Sequence, residues 1–304
     1  MSTEVTPFVA RIRLEPECLA AERHRIVNFL RDNLRDEPAV CAVSGGLDSD
    51  LATRLVVEAI GHERVKVFIV EQDDFDPRFT HNAARLADDL GLELITIDLR
   101  GMPAALIGSL QRADPAMNFR DAGLLDVGRA KCSLRTAILS TYQDRGYRVI
   151  GNSNRTEWLT GFFLPFGDGL AHAQPIIHLY KSQIAQLAAV VGTAPEVIGQ
   201  PGSSGFWVGA EDLLDLSFWL YAGGPIRQER SYTDQELSEI YGIRDQLSRE
   251  LLDATIDGLM AGGSVKQISV EAGLPVEIVE RLRSLLTSAA WKHVPMFERV
   301  EPSA

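Results

Sequence analysis

The chain has 304 residues, of which 45% are hydrophobic and 24% charged, an ordinary globular composition with ample material for a core. A net charge of −12 argues against nucleic acid as a partner, because phosphate contacts need clustered Lys and Arg. No apolar run is long enough to span a membrane, the N-terminus lacks the apolar block of a secretory signal, and Cys18, Cys41 and Cys132 are too scattered for zinc or disulfides. A cytoplasmic protein with no membrane partner is expected.

Residues 17–34 place Leu19, Ile26, Val27, Leu30 and Leu34 near helical spacing. Four short apolar runs follow at 39–43, 65–70, 92–99 and 147–151, with helix-like segments between them. Leu51, Leu55, Val56 and Ile60 stripe the first crossover helix; Ala83, Ala84, Leu86, Ala87 and Leu90 stripe the second. The alternation predicts an α/β fold, a doubly wound, Rossmann-like parallel sheet that binds ligands at the carboxyl ends of its strands. Segments 164–176 and 199–211 are rich in Gly, Pro and Ser and read as long binding loops. Lid loops are expected at about 75–82 and 199–212 of a nucleotide domain spanning 1–232. The remaining stretch, 233–304, reads as a helical extension packed on that domain, with breaks at 261–264 and 273–275. Within it, 264–287 has the rhythm of a DNA-binding helix-turn-helix. Glu277 and Glu280 beside Arg281 and Arg283 match phosphate poorly, so a packed hairpin is the expectation.

The chemistry starts at 44–49, Ser-Gly-Gly-Leu-Asp-Ser, between the first apolar run and a helix. A glycine turn running into a helix N-terminus cradles an anion. Gly45 and Gly46 allow close approach, and Ser44 and Ser49 can donate hydroxyl hydrogen bonds. Asp48 would repel a bare polyphosphate, and makes sense with Mg²⁺ between them. A plain Gly-Gly turn capped by Ser49 is the simpler alternative.

The loop resembles that of the ATP-pyrophosphatase superfamily, whose members cleave ATP between the α and β phosphates. Gly151-Asn152, Glu157, Gly161-Phe162-Phe163, Phe166-Gly167-Asp168-Gly169, Pro175-Ile176 and Lys181 then occur in an order similar to the NAD synthetase family. The resemblance implies ATP as co-substrate, adenylation of a substrate carboxylate, and amidation by ammonia. It also implies roles for residues. Asp48 and Glu157 would hold Mg²⁺, and Lys181 would touch ATP phosphates. Ser44, Gly45, Gly46, Ser49, Arg135, Asn152 and Ser203 would bind ATP. Asp168 would serve the nicotinate end or the incoming ammonia, with Phe162, His172 and Lys292 contacting the acceptor. A homodimer is implied in the same way.

Four departures cluster where the second substrate and lid would lie. Ser133 replaces an arginine, His172 stands where a second acid is common, and 199–205 lacks the usual lysine of the lid. The segment 210–217 also departs from the family pattern. Deamido-NAD as the acceptor and a different biosynthetic carboxylate both stay open, with a non-catalytic nucleotide-binding regulator as the remoter alternative. The residues before the loop leave no room for a glutamine-using domain, so free ammonia or a separate donor protein is expected.

Overall fold

The apolar runs pair as four parallel strands in a computed structural model, which describes residues 7–121, 126–226 and 230–293. They are β1 (Ala39–Ala42), β2 (Val65–Glu71), β3 (Leu94–Asp98) and β4 (Arg148–Ile150), in the order β3-β2-β1-β4. Cys41 is level with Val67 on one side and Ile150 on the other. Helices α1 (Pro7–Ala10) and α2 (Pro16–Leu34) precede the sheet, α3 (Leu47–Ile60) joins β1 to β2, and α4 (Pro77–Leu90) joins β2 to β3. Between β3 and β4 lie α5 (Met102–Ala113) and α6 (Asp126–Gln143).

Period-two alternation sorts the strand side chains to two faces. Ala39, Cys41, Val67 and Ile69 face a cluster with Leu30 of α2 and Leu51 and Leu55 of α3. Val40, Phe68, Val70 and Val149 face the opposite side, against Leu134, Ile138, Leu139 and Tyr142 of α6. The sheet is thus covered on both faces, as the runs of Val and Ile require. Because β1 connects toward β2 on one side while β4 pairs with it on the other, a crevice opens at the carboxyl ends of β1 and β4.

After β4 come α7 (Arg155–Thr160), α8 (Lys181–Val191), α9 (Pro195–Gly199) and α10 (Asp212–Ala222). The tail holds α11 (Asp234–Asp245), α12 (Arg249–Met260), α13 (Val265–Ala272) and α14 (Val276–Ala289). Its apolar cluster crosses residue 232: Leu252, Ile256, Leu282 and Leu285 share it with Tyr180, Leu216 and Leu220. Ile278, Val279, Leu282 and Leu285 turn one face of α14 into this cluster, so the helix packs rather than projects.

One expected loop is a helix. Residues 77–82 form the first turns of α4, because the Asp76 side chain accepts from Arg78 N (2.9 Å) as an N-cap and Pro77 opens the helix.

Candidate active site

The chain leaves β1 through Val43 and turns at Ser44-Gly45-Gly46 into α3. Gly45 makes the turn at φ +74°, and its carbonyl accepts from Asn82 Nδ2 (3.1 Å) and Gln200 Nε2 (3.2 Å). A Cβ on Gly45 would lie 2.1 Å from the Phe79 carbonyl oxygen, so only glycine fits. The serines brace the loop from within. Ser44 Oγ accepts from Gly46 N (3.2 Å); Ser49 Oγ accepts from Ser44 N (3.1 Å) and donates to Gly46 O (3.0 Å). Gly46, not Ser49, is the N-cap of α3. The loop therefore sits on the positive end of that helix.

Three elements then converge on one ammonium. Asp48, in the first turn of α3, forms an ion pair with Lys181, the first residue of α8. Lys181 Nζ is also 3.6 Å from Glu157 Oε1. Glu157 is aimed by a capping box at the start of α7. Asn154 Oδ1 accepts from Glu157 N (2.9 Å), while Glu157 Oε2 accepts from Asn154 N (3.3 Å). Asn154 Nδ2 reaches Asp48 Oδ1 at 3.4 Å, linking the two acids.

These charges are largely shielded from water, and their proton affinities reflect it. Burial, reinforced by Asp48, Asp212 and Asp168, pushes Glu157 up to about 8 despite the nearby lysine. Burial works against the charge on Lys181, but Asp48, Glu157 and Asp212 outweigh it and hold the ammonium above its ordinary value. At the start of α10, Asp212 is raised to about 6 and Asp215 to about 7, burial being the first cause in both. The cluster thus holds more acid than one lysine neutralises. Hard carboxylate oxygens suit Mg²⁺, whose charge would favour the ionised form of Glu157, and Asp48 with Glu157 would leave its other positions to phosphate or water. Among the described residues no group of three or more His, Cys, Asp or Glu forms a metal cage, so ligand oxygens would have to complete the shell.

A cleft of about 960 Å³ runs from this cluster across the carboxyl ends of β1 and β4. Phe68, Val70 and Leu139 give it an apolar wall on the β2 side. Asn152 donates to Ala42 O (3.0 Å), while its Oδ1 is buried without a hydrogen-bond partner. Arg135 lies over the Phe206 ring at 5.0 Å, its guanidinium lowered from the ordinary value by burial. The loop after α9 closes the cleft: Ser203 lines it, and Lys131 Nζ fastens the loop by donating to Phe206 O (2.7 Å) and Asp73 O (2.6 Å).

At the far end Phe163, Trp219 and Trp291 surround Lys292, and Phe162 lines the cleft beside them. Phe162 packs 5.0 Å from Trp219, and Lys292 Nζ donates to Gly161 O (2.5 Å) and Phe163 O (2.8 Å). Asp168 opens into this end, its Oδ1 accepting from Leu164 N (2.8 Å) to shape the Phe-Gly-Asp-Gly turn.

His172 is placed elsewhere. Its Nδ1 accepts from Val149 N (2.9 Å) and its backbone N–H donates to Val149 O (2.9 Å), so it binds the edge of β4 outside the cleft. His172 thus does not line the cleft where a substrate contact was expected, because the neighbouring Ala173 pairs with Ile150 and carries His172 along the strand. Conversely, Asn154, Arg129, Trp219 and Trp291 line or brace the site without having been singled out in the sequence, while Asp212 and Asp215 figured only within the departing segment 210–217. Only Asn154 carried a local signal, the Asn-x-x-Glu spacing of a capping box.

A family model described as NAD synthase matches residues 22–223, which include the loop, Glu157, Lys181 and all of α10. The chain belongs to the NAD synthase family. The NH(3)-dependent NAD(+) synthetase of Methanosarcina acetivorans is 31% identical over 220 residues, 70% of this chain and 84% of the relative. Among solved structures, the NMN synthetase from Francisella tularensis aligns with a TM-score of 0.68 at 22% identity, over 92% of this chain and 98% of that one. The NH3-dependent NAD synthetase from Campylobacter jejuni aligns with a TM-score of 0.63 at 21% identity, over 93% and 99%. At such identities the structural likeness shows the fold. The NAD synthase match stops at Gly223, so Lys292 and the whole helical tail lie beyond it.

Proposed function

We propose that the chain is an ammonia-dependent NAD synthetase, a ligase that adenylates the nicotinate carboxylate of deamido-NAD with ATP and amidates it with ammonia. The observation that carries this reading is the meeting of Asp48, Glu157 and Lys181 beside the phosphate loop in a member of the NAD synthase family. In the first step a carboxylate oxygen attacks the α-phosphorus and the bond to the bridging β-phosphate oxygen breaks, releasing pyrophosphate. In the second, ammonia attacks the acyl carbon, the carbon–oxygen bond to AMP breaks, and nitrogen loses a proton. Adenylation turns a poor leaving oxygen into a good one and so divides a hard step into two.

The residues have distinct tasks in this scheme. Loop 44–49 holds the phosphates at the N-terminus of α3. Lys181, kept charged by its acids, can move part of its pairing from Asp48 to the departing pyrophosphate. Asp48 and Glu157 would hold Mg²⁺, which neutralises phosphate charge when bound. Asp168, at the far end of the cleft, can accept the proton from the attacking nitrogen. Ammonia comes from solution or from a separate donor protein. The functional particle is taken as a homodimer in the cytoplasm, where the free thiols of Cys18, Cys41 and Cys132 are stable. Purified protein with ATP, Mg²⁺, ammonium and deamido-NAD should form NAD and AMP in equal amounts.

A second reading keeps the chemistry and changes the acceptor. The acceptor end is walled by aromatic rings, and two of the cations lining the cleft are already engaged: Lys292 by Gly161 O and Phe163 O, and Arg129 by Ile226 O (3.1 Å). That favours a compact aromatic carboxylate. AMP release with such an acid and none with deamido-NAD would decide for it.

A further inference from the structure

Glu157 and Lys181 come from different helices, and the structure shows what holds those helices in step. Lys181 N donates to Thr156 Oγ1 (3.0 Å), and that hydroxyl donates to Asp253 Oδ1 (2.6 Å). Ser182 N donates to the other oxygen, Asp253 Oδ2 (2.7 Å). Asp253 belongs to α12 of the tail, is 0% exposed, and lies beyond the NAD synthase match. Its two oxygens thus join the residue before Glu157 to the residue after Lys181.

The placement explains several local oddities. The first N–H groups of α8 have no intrahelical partner, and the N-cap residue Tyr180 offers them no side-chain cap. The Asp253 carboxylate takes over, at the positive end of the helix where a negative charge is favoured. Thr156 is also nearly buried, so its hydroxyl must both accept and donate inside the protein. Neighbouring contacts reinforce the joint: Tyr180 Oη donates to Asp257 Oδ1 (3.2 Å), and Arg249 of α12 donates to Gln200 O (3.4 Å) in the loop that closes the cleft.

We propose that Asp253 is a positioning residue for adenylation: through Thr156 and the first turn of α8 it fixes Glu157 and Lys181 at the separation that receives the triphosphate. The tail is thereby part of the catalytic apparatus and not only a cover for the sheet domain. This rests on the proposed roles of Glu157 and Lys181 at ATP.

In Asp253→Asn only the amide oxygen can accept, so with Ser182 N on that oxygen the Thr156 hydroxyl hydrogen loses its acceptor and the joint is weakened while shape is kept. Pyrophosphate release should fall about 10- to 100-fold in kcat, the scale of a small misplacement of reacting groups, with the KM for the acceptor unchanged. Thr156→Val should do the same, Thr156→Ser should restore the rate, and Asp253→Asn combined with Thr156→Val should be no worse than either alone. Ile278→Val, in the tail core, serves as the control for destabilisation and should keep wild-type kcat. Calorimetric binding of Mg²⁺ with a non-hydrolysable ATP analogue supplies a readout independent of the acceptor, and should weaken in Asp253→Asn and Thr156→Val alone. Wild-type kcat and analogue affinity in both variants, or losses that track melting temperature as in Ile278→Val, would overturn the proposal. Full release by Asp48→Asn would instead sink the ATP-site reading, leaving the joint to be judged by calorimetry.

Discussion

Replacing Gly45 with alanine tests the phosphate loop at its tightest point. Two costs add there. The residue sits at φ +74°, where an L side chain costs about 1–2 kcal/mol. The new methyl would stand 2.1 Å from Phe79 O and 2.7 Å from Phe79 C and Cα, where contacts under 3.0 Å are not tolerated. The obstacle is backbone at the start of α4, so no rotamer change relieves it, and the loop must retreat by roughly 1 Å. Overpacking of this kind costs about 1–3 kcal/mol, giving a total loss of about 2–5 kcal/mol. A displacement of that size beside the triphosphate should also cut kcat/KM for ATP by about 100-fold. Gly91→Ala provides the reference: φ is +66°, yet nothing lies within 4 Å of the added Cβ. It should lose about 1–2 kcal/mol and no activity. Urea unfolding and initial rates of pyrophosphate release on both variants give the comparison. Equal stability losses with wild-type turnover in Gly45→Ala would refute the reasoning.

Asp48→Asn and Glu157→Gln should each abolish pyrophosphate release while leaving the melting temperature near wild type, as followed by circular dichroism; near-normal release from either removes the metal-holding role. Lys292 is 8% exposed and its ammonium is pushed down to about 8 from 10.5, chiefly by burial. The folded state therefore pays a penalty that is complete below pH 8 and fades as pH rises toward 10.5, worth about 3 kcal/mol. Unfolding free energies measured from pH 7 to 10 should show wild type gaining on Lys292→Met across that window, and a flat difference contradicts the assignment. Removing 233–304 would uncover Tyr180, Leu216 and Leu220, at about 1.5–3 kcal/mol for each large side chain, which approaches the whole stability of a domain. The shortened chain should lose its cooperative melt; a sharp transition at the original temperature would make the sheet domain independent of the tail.

Much of the architecture is legible in the chain because it depends on near neighbours. The runs at 39–43 and 65–70 are short and almost continuously apolar, rich in Val, as a strand buried on both faces requires. The helix breaks at 261–264 and 273–275 are marked by glycine, and the helices do stop at Met260 and Ala272. The stretch 75–82 misled because Asp76-Pro77 reads equally as a turn or as a helix start, and the side-chain cap on Arg78 N decides for the helix.

The sequence alone determined the glycine loop before α3, the parallel sheet and the presence of two acids and a lysine at its carboxyl edge, since glycine geometry, side-chain period and charge type act over a few residues. Tertiary structure decided which of these meet. Lys181 pairs with Asp48 across 133 positions, and Thr156 reaches Asp253 across 97. His172 turned to the edge of β4, while Asp212 and Asp215 entered the cleft. Such partnerships follow from how whole helices pack, and from the need of each buried charge or hydroxyl to find a partner there. No local spacing records that.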